Sequence, residues 1–463
     1  MPKDLRDFFD QMKSQHPQYV IEIVREVSAD LEIPIIQEKL SREKKYSIII
    51  AKNVLNSTLP VVTNLFADYQ LLAFALGIES GDKKDILKEY IKREDCPLPI
   101  EEVDKKDAPV KELILKGNDV DLGKLPISKH CEKDSGKYIT TGCMICKDPD
   151  NGIPNVGIYR NEVKGKNQLG CMMNPAQHAA QIKRKYQELQ KPMEIAIFIG
   201  HHPAVFIGAS SKGPLEHNEL EIMGALLGEP LTVTRGETVD LTVPAYAEIV
   251  IEGVIRPESF VIDGPFAEYA GYYGGRKEVA LIEVTAITMR QDAIYHDLYP
   301  SYREHTLAGV LCREAQLYRR IKETVPSLVG LHLPPSGNSF YHLYISIKKR
   351  VQGEGKLAAL AALGTNADIK HVVVVDDDID IHNDEEVLWA ISTRVEADLD
   401  VTIIPFVFGA HLDPSAYGET RFNGGPMTSK VIIDATKPLT LPFAERVVPN
   451  KEIWERINLK DYF

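Results

Sequence analysis

The sequence predicts a mixed α/β protein in three parts: an α/β region at residues 1–108, a largely β domain at 109–305, and a C-terminal α/β domain at 306–463. Three observations carry that prediction. At 463 residues the chain is longer than one core usually organises, so two or three domains are expected. Its central part is a succession of short apolar runs joined by Gly- and Pro-bearing turns, with only two helical patterns among them. After residue 306 strand-like and helix-like runs alternate, as in crossovers onto a parallel sheet.

In chain order, DLRDFFDQMK opens a helix, KKYSIIIAKNVL contains a strand, and YQLLAFALGI forms a helix that Gly77 ends. The connector IKREDCPLPIEEVDKKDAPVKE is charged and carries Pro97, Pro99 and Pro109, which marks a boundary. The central strands are KYITTGCMIC, NVGIYRNEV, MEIAIFIG, AVFIGAS, AEIVIEGVI and VALIEVTAITMR, a set suited to a sheet curled towards a barrel. One helix begins at NPAQHAAQIKRKYQEL, where Asn174 can cap, Pro175 suits the first position and Gln177 completes a capping box. The other starts near Pro214, with an apolar stripe of Leu215, Ile222, Met223 and Leu226. In the last part HLYISIKK, HVVVV and DVTIIPFVF read as strands, GKLAALAAL and DEEVLWAISTRV as helices.

Composition narrows the class. Hydrophobic residues make up 44% and charged residues 26%, as in a globular protein, and the longest apolar runs are only strand-length, so no membrane helix is expected. The N-terminus lacks an apolar signal core, which leaves the cytoplasm as the expected location. A net charge of −13 without a basic stripe argues against nucleic acid. Six cysteines are too few for a disulfide scaffold, and Cys143 and Cys146 form a lone CxxC without a second pair at zinc-site spacing. GASSKGP imitates a phosphate loop without its GK[ST] ending, and the acidic run from Asp376 to Asp380 reads as a strand end meeting solvent.

The stretch VIDGPFAEYAGYY, from Val261 to Tyr273, sets Asp263 and Glu268 in apolar surroundings, where carboxylates need a counter-charge or a chemical task. Arg160 can supply that charge. A guanidinium between two acids holds one ionised while the other keeps a proton to donate near neutral pH. Glu219 falls on the apolar stripe of its helix and Glu221 off it, so Glu219 is a ligand candidate, or a stripe-edge glutamate reaching for water. His178 falls in a first helical turn, at the positive end of the helix dipole, and taken alone it reads as a surface or satisfied core histidine rather than a ligand. With Asn155 these residues offer an oxygen, a nitrogen and a carboxylate, a set suited to Mn²⁺ or Mg²⁺. Asn155 and Arg160 would face opposite ways on a regular strand, so sharing a site requires a bulge or a wrap, which Gly157 permits.

Taken together, NVGIYR, His178, HNELEIMGALLGEPL, VPAYAEIVIEG, DGPFAEYAGYY, KHVVVVDDDIDI and GPMTSKVIIDATKP make the chain resemble the UbiD family of reversible decarboxylases that use prenylated FMN. The resemblance implies a split-barrel, flavin-reductase-like cofactor domain between an N-terminal α/β region and a C-terminal α/β oligomerisation domain, in a homodimer or hexamer. It implies that Asn155, His178 and Glu219 hold Mn²⁺ or Mg²⁺ at the cofactor phosphate, with K⁺ or Na⁺ near the main chain of Ala209 and Ser210. Ile158 and Lys349, or Lys348 in its place, would add cofactor contacts. Arg160, Asp263 and Glu268 would take the family's Glu-Arg-Glu positions, with Asp263 one methylene shorter than the usual glutamate. The implied reaction is non-oxidative, reversible decarboxylation of an aromatic, heteroaromatic or α,β-unsaturated acid, with Glu268 as proton donor, Arg160 as partner of the substrate carboxylate and the cofactor, and a flavin prenyltransferase supplying that cofactor. His296, Tyr299, Arg303 and His411 are polar candidates for substrate recognition and read equally as solvated positions. Two rivals remain: a cofactor-binding subunit without activity of its own, and a flavin reductase using ordinary FMN.

Overall fold

The computed structural model describes residues 2–416 and 425–463. Its mixed α/β architecture is the one the sequence predicts. Near the N-terminus the helix Leu5–Gln15 is capped by Asp4, whose carboxylate accepts from the Arg6 and Asp7 N–H groups, and it buries Leu5, Phe8, Phe9 and Met12. A four-stranded sheet follows, in the order Val20–Ile23, Ile48–Ala51, Val61–Thr63 and Tyr295–His296. Its last strand arrives from much later in the chain and pairs in parallel with Val61–Thr63, which ties the N-terminal region to the end of the central one. The helix Tyr69–Ala75 stops short of Gly77, which sits at φ 65°.

The central region is built on a nine-stranded sheet. Its path runs Tyr138–Ile139, Asn161–Gly165, Gln168–Cys171, Lys277–Met289, Ile249–Asp263, Met193–Ile199, Cys143–Lys147 and Pro154–Ile158, and Leu113–Lys116 pairs with Lys277–Met289 off the path. Pro154–Ile158 lies at one end of the path and Asn161–Gly165 next to the other, yet only Tyr159 and Arg160 separate them in the chain. So short a link spans at most roughly 10 Å, so the sheet must roll until its two ends are neighbours. Among the described residues no ladder joins those ends, and the sheet is rolled but open. Asn155 stands on one side of this seam and Arg160 in the link that crosses it, so one short segment reaches both ends of the rolled sheet.

Several elements differ from expectation. AVFIGAS is the helix Pro203–Ala209, not a strand. Pro203 occupies its first position, the His202 ring accepts from Ala204 N–H at 3.2 Å, and all seven residues are buried, so no periodicity separates helix from strand. The helix expected from Asn174 begins at His178; Gln177 Oε1 still accepts from Asn174 N–H at 2.7 Å, but as part of the preceding turn. The helix expected near Pro214 begins at Glu219 under an Asn218 cap, because a turn between Pro214 and His217 precedes it. The C-terminal sheet runs Leu328–His332, His342–Ile347, His371–Asp376, Met427–Ala435 and Val401–Phe408. Only its three inner strands are parallel; both edge strands run antiparallel, which corrects the all-parallel expectation.

Candidate active site

Asn155 leaves the edge strand Pro154–Ile158, Glu219 opens its helix, and His178 opens another, and the three side chains meet. Asn155 Nδ2 donates to Glu219 Oε1 at 3.1 Å and lies 3.4 Å from His178 Nδ1, while Val156 N–H donates to Glu219 Oε2 at 2.9 Å. Glu219 is 2% exposed, and burial pushes its carboxyl up to about 7 against the hydrogen bonds of Val156 and Asn155 and the charge of Lys212. Burial also lowers the basicity of His178, keeping it neutral, and a neutral imidazole is the form that ligates metals. Asn155 Oδ1 is buried with no hydrogen-bond partner. A buried carboxylate with no ion-pair partner among the described residues, an orphaned amide oxygen and a neutral imidazole fit a hard or borderline divalent cation, and Glu221 stays half-buried on the other side of the helix.

These residues line a cavity of about 570 Å³ at the junction of the central and C-terminal regions. Ile158, the turn of Ala209 and Ser210, and His305 line it from the central region; Arg313 and Phe340 close it from the C-terminal one.

Beyond the seam, Arg160 reaches two acids. Its Nη2 pairs with Asp263 Oδ2 at 2.6 Å, its Nη1 makes a short contact with Glu268 Oε1, and its guanidinium lies 4.7 Å over the Phe266 ring. The Asp263 side chain is sealed, whereas those of Arg160 and Glu268 keep 12% and 10% exposure, so Glu268 is the acid with access to the outside. Burial raises the proton affinity of both carboxyls; Arg160 opposes it, the Glu162 charge adds to the rise of Asp263, and the Asp263 charge adds to that of Glu268. Two acids sharing one cation out of water hold one proton between them more readily than none. Arg160 Nε and Asp263 Oδ1 are buried without partners. The triad abuts the cavity: Tyr269, next to Glu268, stacks on Phe340 at 4.0 Å, and Ser301 donates its hydroxyl to Glu268 O at 2.6 Å and its N–H to His305 Nδ1 at 3.3 Å.

The other candidates lie elsewhere. Lys349 Nζ donates to Thr436 Oγ1 at 2.8 Å on the C-terminal sheet, outside the cavity lining. His296 is buried behind the cavity wall between Phe66 and Phe206, at 5.9 and 5.7 Å. Arg303 and His411 face two other cavities, and Tyr299 stacks on Tyr302 at 3.8 Å. Cys143 and Cys146 are buried, free thiols. Sequence reasoning passed over His305, Arg313, Phe340 and Lys212, all of which line the cavity. Lys212 stood in the phosphate-loop lookalike GASSKGP and was within reach; the other three carried no motif signal.

A rolled sheet that brings a trio fit for a divalent ion onto a cavity, with a guanidinium held between two carboxyls beside it, has the layout of an enzyme that works with a bound cofactor. The chain belongs to the UbiD family of carboxy-lyases: its residues 14–94, 101–303 and 305–435 match the N-terminal, Rift-related and C-terminal domains of 3-octaprenyl-4-hydroxybenzoate carboxy-lyase. It is similar to the anhydromevalonate phosphate decarboxylase of Methanothermobacter thermautotrophicus, 33% identical over 94% of this chain and 97% of that protein. Among solved structures it is similar to the UbiD-class enzyme HmfF of Pelotomaculum thermopropionicum in complex with FMN (37% identity, 99% and 100% of the two chains, TM-score 0.91) and to an evolved dimeric HmfF in complex with prFMN (36%, 99% and 100%, 0.88). The closed form of Sedimentibacter hydroxybenzoicus vanillic acid decarboxylase is also similar (31%, 100% and 99%, 0.87). No helix among the described residues is long and apolar enough to cross a membrane.

Proposed function

We propose that this chain is a decarboxylase dependent on prenylated FMN, acting on an aromatic or heteroaromatic acid that carries a second anionic group. The observation that carries the reading is the convergence of Asn155, His178 and Glu219 on one cavity and of Arg160, Asp263 and Glu268 beside it. The chemistry supplied by prenylated FMN when bound is an electron sink for the pair released as carbon dioxide leaves, which no side chain offers. Asn155, His178 and Glu219 would hold Mn²⁺ or Mg²⁺ against its phosphate, with K⁺ or Na⁺ at the main chain of Ala209 and Ser210 and Lys212 close by. A flavin prenyltransferase would have to make the cofactor.

Asp263 anchors Arg160 from a sealed position, and Arg160 offers its unpartnered Nε–H to a substrate carboxylate. Glu268, raised in proton affinity and reachable, donates the proton that replaces the lost carboxyl group. On the wall next to the triad, His305 Nδ1 accepts from Ser301 N–H, so the neutral ring carries its proton on Nε2 as a donor. Burial and the charge of Arg313 hold its pKa down to about 4, which keeps it neutral. Arg313 donates to Thr306 O at 2.6 Å, stacks 3.8 Å from the Phe340 ring centre, and forms no ion pair among the described residues. A cation, a neutral donor and an aromatic face together suit a flat acid with a second carboxylate.

A second reading, an unsaturated acid bearing a phosphate, is favoured by the 33% identity to an anhydromevalonate phosphate decarboxylase. One experiment tests both readings: protein reconstituted with prenylated FMN is offered aromatic dicarboxylates, aromatic monocarboxylates and phosphorylated acrylic acids, and carbon dioxide is measured. Release from the dicarboxylates is expected; turnover restricted to phosphorylated acids supports the second reading, and no turnover with cofactor bound makes the chain a non-catalytic subunit.

A further inference from the structure

The three parts of the chain also meet at a second cavity of about 640 Å³, separate from the first. Lys83 opens the helix Lys83–Glu94 on one wall, Arg303 opens Arg303–Leu307 on another, and His332 and His382 come from the C-terminal region. Lys83 and Arg303 are near enough for the second charge to lower the proton affinity of the first, yet neither forms an ion pair within 4.0 Å among the described residues. Both are held in place by aromatic faces: Lys83 Nζ lies 4.7 Å over Tyr69, and the Arg303 guanidinium 4.5 Å over Tyr46, with its Nε donating to Ala67 O at 2.8 Å. Of the acids that act on Lys83, Glu314 is occupied by His332 Nδ1 at 3.0 Å and Leu333 N–H at 2.8 Å. Asp384 also lines this cavity and offsets part of the positive charge.

Two further polar groups point to a missing ligand. Both ring nitrogens of His382 are buried without a hydrogen-bond partner, and so is Asn338 Nδ2. The unpaired positive charge is local, in a chain whose net charge is −13. Two neighbouring cations that Asp384 and Asp380 offset only in part, beside unsatisfied donors and partly shielded from water, are stable together when an anion joins them.

We propose that this cavity is an anion site taking a phosphate dianion, as the free ion or as the phosphoryl group of a small metabolite, held by Lys83 and Arg303 with donors from His382 and Asn338. An anion there bridges the N-terminal region, the turn at residues 301–305 and the C-terminal region. The same turn supplies Ser301 to Glu268 and His305 to the first cavity, so occupancy stiffens the wall of the active site. The proposal stands on this cavity alone and does not depend on the reaction assigned to the first.

The test uses the full chain loaded with flavin, so that the cofactor's own phosphate position is filled. Inorganic phosphate and glycerol 3-phosphate are titrated separately at constant ionic strength and followed by calorimetry and by melting temperature. Saturable binding of at least one, with a rising melting temperature, is expected. Lys83→Gln should weaken it about tenfold or more, the loss of one charge-assisted contact, and Lys83→Arg should retain it. Binding of phosphate alone identifies the free ion, and preference for the ester identifies a phosphorylated metabolite. Absence of saturable binding of either, or binding unaffected by Lys83→Gln and abolished by Lys212→Gln, overturns the proposal. Should Lys83→Gln fail to fold, His382→Ala is judged by the same loss of affinity.

Discussion

Replacing Asp263 by Asn probes the coupling inside the triad. The substitution is nearly isosteric: an amide oxygen can still accept from Arg160 Nη2, now at 2.6 Å from Asp263, so the guanidinium keeps its place while one negative charge disappears. Asp263 raises the proton affinity of Glu268, and removing it therefore lowers the Glu268 pKa. The two carboxylates grip one guanidinium from two sides; like charges a few ångströms apart at an effective dielectric of about 20 repel by about 2–3 kcal/mol, so removing one eases deprotonation of the other, by an amount that sharing of the proton within the pair reduces. The assay is the pH profile of kcat/KM for decarboxylation, with bound flavin measured by absorbance as a check on the fold. The basic limb, where the donor loses its proton, should move to lower pH. An unmoved basic limb in a variant with full cofactor would refute the idea that Asp263 sets the protonation of Glu268.

Three further outcomes are expected. His178→Ala should release the divalent ion, measured by elemental analysis, and weaken flavin retention; in the wild type the ion's apparent affinity should fall by up to about tenfold per pH unit below about 7, where an ion must displace the proton of Glu219. Gly157→Ala should destabilise by about 1–3 kcal/mol in denaturant titration, because the new Cβ would stand 2.8 Å from the ring and hydroxyl of the buried Tyr159. Glu304 accepts from Asn64 N–H at 2.9 Å and from Gln37 at 3.2 Å with no cation beside it, and burial raises it to about 7 from 4.5. Its contribution is thus complete below about 4.5 and lost as pH rises through about 7; the melting temperature of Glu304→Gln relative to wild type should be more favourable at pH 8 than at pH 5.

The sequence resolved some links better than others, for physical reasons. Helical periodicity was enough to turn Glu219 inward and Glu221 outward, and the apolar setting of Asp263 and Glu268 was enough to call for a cation. Periodicity could not assign Pro203–Ala209, where every side chain is buried, nor place the starts of the helices at His178 and Glu219, where local turns compete with the caps. The seam between Ile158 and Asn161 was visible only as a conflict, two polar residues on wrong faces, because it depends on how a nine-stranded sheet rolls. Residues that line the two cavities were the least legible. Arg303 and His305 lie two positions apart on one short helix and so point about 200° apart, one to each cavity; residue type alone does not say which faces the acid.

The central claim, that Glu268 delivers the proton to a carbon held beside the Arg160 triad, is tested most directly by isotope exchange. The decarboxylated product is incubated in deuterium oxide with reconstituted wild type and with Glu268→Gln protein of equal flavin and metal content, and deuterium at the carbon that bore the carboxyl group is followed by NMR. Exchange by the wild type, with at least a hundredfold slower exchange by the variant, is the predicted result, at the lower end of about 10²–10⁴-fold for a general acid. Equal exchange by the two proteins would contradict it.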